Sequence, residues 1–136
     1  MPDFEVIYRK NVYTVETSPT SFTFSLGTFK NNTFFDRPFG IITAWNPDNT
    51  NLTSIENILR NQKLYKDLYQ YETLVAVGCC KEHCESGYLV FGVSLDDLIA
   101  LAQKYNQFAV FFNDGKYLKY VRCEDFEEIV GLKRAD

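Results

Sequence analysis

The chain has 136 residues, a formal net charge of -4 and 46% apolar residues, of which an aromatic share of 16% predicts a sheet-rich core. One domain of this length buries a full core, and an acidic balance excludes a protein built to coat nucleic-acid phosphates, which needs a basic surface. No run of about 18 apolar residues occurs, so no membrane-spanning helix is expected, and the N-terminus lacks a signal pattern, which points to the cytosol.

Residues 12–17 read as a strand and Ser18-Pro19-Thr20 as a turn. Phe22, Phe24 and Leu26 alternate with Thr23 and Ser25, the period of a half-buried strand. Residues 28–38 form a polar loop closed by Pro38. Phe39 to Trp45 is a third strand, and its nearly continuous apolar run predicts a central position covered on both faces. Asn46-Pro47-Asp48-Asn49 breaks it, because Pro removes a donor and Asn and Asp favour turns. Thr53-Ser54-Ile55-Glu56 is a capping-box pattern that opens a helix expected over 54–69.

Leu74 to Val77 reads as a short strand, residues 79–87 as a cysteine-containing loop, and Tyr88 to Val93 as another strand. Ser94 with Asp97 caps a second helix whose apolar face carries Leu95, Leu98, Ile99, Leu101, Ala102 and Tyr105. Asn106 ends it in the left-handed conformation. Phe108 to Phe112 and Tyr117 to Val121 flank Asn113-Asp114-Gly115, a hairpin signal. Residues 124–136 read as a tail, either a last helical turn at Glu124 to Glu128 or mobile. The order β-β-β-α-β-β-α-β-β predicts an α+β fold in a single domain over 1–136: a mainly antiparallel sheet with two helices packed on it.

On the first helix, Ile58, Leu64, Tyr65 and Leu68 define the expected core side, with Asn57 and Asn61 among them. Glu56 with Arg60 and Lys63 with Asp67, each four apart, are expected as surface ion pairs. The amides need partners, because an unpaired half-buried Asn costs roughly 1–3 kcal/mol. They either tie down the loop after Trp45 or hold a ligand. Trp45 itself reads as a core anchor.

Ile42-Thr43-Ala44-Trp45-Asn46-Pro47, followed by Glu56-Asn57-x-x-Arg60-Asn61-x-x-Leu64, resembles the bacterial family called domain of unknown function 3293. Glu85-Ser86-Gly87-Tyr88 and Tyr105-Asn106-Gln107-Phe108 extend the resemblance over roughly residues 39–121. The resemblance brings no activity, substrate or cofactor. It implies a shared site of Asn46, Glu56, Asn57, Arg60, Glu85 and Gln107, to which Asn61 is added from the helix reading.

Cys79, Cys80, His83, Cys84 and Cys123 have the residue types of a zinc site but not its spacing, so neither metal nor cofactor is expected and the thiols read as reduced. His83 is the only His, which leaves no Ser-His-Asp relay without it. No phosphate-binding glycine loop is present. Three functions stay open. The first is a module binding a small polar or anionic ligand. The second is a hydrolase-type enzyme using Glu56 or Glu85 with Arg60. The third is a protein–protein interaction module.

Overall fold

The computed structural model describes residues 12–16, 21–25, 37–47, 50–80 and 83–133. The fold is α+β. Eight strands form one sheet: β1 (Val12–Glu16), β2 (Ser21–Ser25), β3 (Phe39–Ile42), β4 (Thr73–Cys80), β5 (His83–Phe91), β6 (Ala109–Asn113), β7 (Tyr117–Arg122) and β8 (Glu128–Lys133). Their spatial order is β2-β1-β4-β5-β3-β6-β7-β8, and every neighbouring pair is antiparallel. Two helices, α1 (Ser54–Asp67) and α2 (Leu95–Lys104), complete the order. Among the described residues no helix is long and apolar enough to cross a membrane.

The apolar run at Phe39–Ile42 places β3 at the sheet centre, between β5 and β6, with all four residues buried. On one face Ile42, Val90, Val110 and Val121 meet Leu64 and Leu68 of α1 and Leu98, Ile99 and Ala102 of α2. Each such aliphatic side chain contributes about 1.5–3 kcal/mol by leaving water. Gly40 lets α2 approach: a Cβ there would stand 2.5 Å from a Leu98 methyl. The other face is also dry at the centre, where Phe39 meets Phe91 edge-on at 6.4 Å and Phe111 meets Tyr120 at 5.5 Å.

Four sequence expectations differ from the fold. Residues 79–87 are not mainly a loop, because β4 and β5 continue as a hairpin in which Cys84 faces residue 79 and Glu85 faces residue 78. Cys84 is disulfide-bonded, in place of the reduced thiols expected. The side chains of Cys79, Cys80 and His83 lie outside the described residues. Beyond the seven expected strands, an eighth at Glu128–Lys133 pairs with β7. Propensity alone misses such strands, since pairing to an existing edge decides them.

The face of α1 is the largest correction. Its buried stripe is Asn57, Asn61 and Leu64, continued by Leu68. Ile58 and Tyr65, expected inside, are exposed. The helix is turned so that amides face the sheet.

Candidate functional site

The strand β3 ends at Ile42, and the chain then turns at Thr43-Ala44-Trp45-Asn46 over the N-terminal half of α1. Asn46 has φ +46°, a left-handed conformation in which Asn carries a smaller penalty than most residues. That turn needs external partners, because its N–H groups have left the sheet ladder. The amides supply them. The Ala44 N–H donates to Asn61 Oδ1 at 2.9 Å and the Asn46 N–H to Asn57 Oδ1 at 2.7 Å. The two side chains of Asn46 and Asn57 also bond directly, Asn57 Nδ2 donating to Asn46 Oδ1 at 2.8 Å. Asn46 Oδ1 accepts in addition from the Leu52 N–H at 3.0 Å, which closes the loop leading into α1.

Towards β5, Asn61 Nδ2 donates to the Ser86 carbonyl at 2.8 Å, and Thr43 Oγ1 donates to the same oxygen at 2.6 Å. Asn46 Nδ2 reaches Glu85 Oε1 at 3.3 Å. Tyr88 OH donates to the Asn61 carbonyl at 3.2 Å, and burial pushes its phenol pKa up, with Tyr65 adding to the shift. Gly87 sits beneath the turn, and a Cβ there would come within 2.5 Å of the Ile42 carbonyl.

Towards α2, the C-terminus is closed by a Schellman arrangement. Gln107 N–H donates to the Ala102 carbonyl and Asn106 N–H to the Gln103 carbonyl, with Asn106 at φ +56°. This fixes Gln107, whose Nε2 donates to the carbonyls of Trp45 at 3.2 Å and Tyr105 at 3.3 Å. Arg60 meets it there. Its Nε donates to the Ala44 carbonyl at 2.7 Å and its Nη2 to the Tyr105 carbonyl at 2.5 Å. The guanidinium thus lies at the negative end of the α2 dipole.

Six of the seven candidate residues therefore gather at one turn: Asn46, Asn57, Arg60, Asn61, Glu85 and Gln107. Glu56 does not join them. Its Oε1 accepts from the Thr53 N–H and hydroxyl in the exposed capping box. The expected Glu56–Arg60 and Lys63–Asp67 pairs are absent: Arg60 turns inward to carbonyls, and Asp67 reaches α2. Trp45 is half-buried rather than a core anchor.

Asp67 and Tyr105, expected as a partner of Lys63 and as an apolar-face residue, instead meet each other and Lys104 in a cluster that no sequence signal announced. Asp67 Oδ2 accepts from Tyr105 OH at 2.6 Å and from Lys104 Nζ at 2.8 Å. The Lys104 bond, then that of Tyr105, lowers the Asp67 pKa, while burial and then Asp67 raise that of Tyr105 to about 12. Thr43 and Ser86 were also missed. A Thr at a strand end was the available signal, since its hydroxyl can bond to turns.

A fully antiparallel α+β sheet whose central strand ends in an amide-braced turn defines the class of this protein. Within that class the chain belongs to the family described as Protein of unknown function (DUF3293), whose model matches residues 42–110. The match begins at the last residue of β3 and takes in every member of the braced turn. No curated protein and no solved structure matched the chain.

Proposed function

We propose that the chain is a binding module for a small anionic or amide-bearing ligand, taken up at the rim of the braced turn. Arg60 carries this reading. Its guanidinium is half-buried and held on two carbonyls, and among the described residues no carboxylate pairs with it. Two of its three nitrogens are used, and Nη1 makes no hydrogen bond to a described residue. A cation fixed in place with no counter-charge among the described residues suits a bidentate oxyanion, because little side-chain freedom remains to be lost on binding. Gln107, bonded to the same Tyr105 carbonyl, contributes an amide oxygen for a donor on the ligand.

The hydrolase reading draws no such support, since Glu56 serves the helix cap and Glu85 bonds Asn46. The test is a thermal-shift panel of phosphate, sulfate, citrate and glutamine, followed by titration calorimetry. A ligand at 100 times its Kd adds about 2.7 kcal/mol to stability, a shift of several degrees. Arg60→Lys keeps the charge and loses the fork, and is expected to weaken binding at least tenfold. A panel without a shift, or binding equal in wild type and Arg60→Lys, overturns the proposal.

A further inference from the structure

The outward face of α1 is apolar. Ile55 is 72% exposed, Ile58 47%, Leu59 53%, Tyr65 56% and Tyr69, just past the helix, 85%. At roughly 200 Å² for a fully exposed side chain of this size, these five present on the order of 600 Å². That reaches the upper end of the largest apolar patch on an ordinary monomer, about 300–600 Å². With the stems of Gln62 and Lys66 between them, the face approaches the roughly 800 Å² per partner of a stable interface.

The arrangement of these side chains fits a second copy of the same chain. They are placed symmetrically about Gln62: Ile55 lies as far before it as Tyr69 lies after, and Leu59 as far before it as Tyr65 after. At the C-terminal end the helix borders an open cleft of about 360 Å³ lined by Tyr65, Lys66, Tyr69 and Tyr71. At the N-terminal end Ile55 is the most exposed of the helix's large apolar side chains. Residues 55 and 69 are about 21 Å apart at 1.5 Å per residue. A two-fold axis at Gln62 sets the helices antiparallel and carries each Ile55 into the partner's tyrosine cleft. The same patch then serves both partners, as an isologous dimer requires.

We infer that α1 is a dimerisation helix, pairing antiparallel with α1 of a second copy so that Ile55 fills the Tyr65–Tyr69–Tyr71 cleft of its partner. The interface leaves the braced turn on the opposite side of α1. It is therefore independent of ligand binding there.

Sedimentation velocity over about 1–100 µM, the range that resolves micromolar association, tests it on the full chain. Wild type is expected to reach twice the chain mass. Ile55→Glu and Tyr69→Glu, both at exposed positions, should weaken association at least 100-fold and melt as wild type does at a concentration where both are monomeric. Gln62→Cys should cross-link to its own copy under mild oxidation, with the link between the two residues 62 identified by mass spectrometry. Cysteine placed at Asp96 should not. A monomer throughout the range, a dimer that withstands both charged variants, or equal cross-linking at residues 62 and 96 overturns the inference.

Discussion

Asn57→Ala tests the bracing of the turn most directly. Asn57 is 1% exposed and holds two short bonds to Asn46, one to its N–H and one to its side-chain oxygen. Truncation removes both, at a net cost of about 1 kcal/mol each. It also leaves the Asn46 N–H buried without an acceptor, which adds roughly 1–3 kcal/mol. Asn46 Oδ1 keeps the Leu52 N–H, so no second group is stranded. The expected loss is about 3–5 kcal/mol, a fall of roughly 10–17 °C in Tm for a domain of this size. Urea denaturation followed by circular dichroism measures it. A double-mutant cycle with Asn46→Gly isolates the side-chain pair, because Gly keeps the left-handed φ and removes only the amide. The coupling expected is about 1 kcal/mol. A loss under about 0.5 kcal/mol for Asn57→Ala would falsify the bracing, since water would then be replacing the amide at no cost.

Gly87→Ala should destabilise by at least 1–3 kcal/mol in the same assay, because its Cβ meets the backbone carbonyl of Ile42 rather than a side chain that can move. Asp67 has a folded pKa below its ordinary 3.8, so its contribution is present above that value and is lost as pH falls through the folded one. Asp67→Asn should flatten the acid limb of the stability curve. Tyr105 has the opposite sign: raised from 10.0 to about 12, it stabilises below pH 10 and loses this as pH rises towards 12, which Tyr105→Phe should abolish. Cys123 is 3% exposed and burial raises its pKa to about 11, so maleimide at pH 8 should label it only as fast as the protein unfolds.

Local signals in the sequence carried the helix ends well. Thr53 with Glu56, Ser94 with Asp97, and Asn106 all act as their chemistry dictates. So did the position of β3, because a continuous apolar run suits only a doubly covered strand. The rotation of α1 was not legible. Periodicity counts apolar residues, and here two of the buried positions are amides whose partners lie 11 to 25 residues away. The membership of the site was readable to the extent that Asn57 and Asn61 could not be left unpaired. That they tie down the loop after Trp45 was readable too, and Asn57 does so at the Asn46 N–H; the partners of Asn61, the Ala44 N–H and the Ser86 carbonyl, were not, since backbone groups at a strand end leave no mark in the sequence. The β4–β5 hairpin was obscured for a similar reason: Cys84-Glu85-Ser86-Gly87 has weak strand preference, and cross-strand pairing supplies the order.

The braced turn also bears on the order of events in folding. Its bonds join residues separated by 11, 17, 39 and 62 positions, so β5, α1 and the end of α2 must all be docked before they close. Contacts of such separation carry the full entropy of loop closure and form late on a folding route. The turn then acts as a latch set after the barrier is crossed. Weakening it should leave the refolding rate nearly unchanged and speed unfolding, so the amides govern how long the native state lasts once formed.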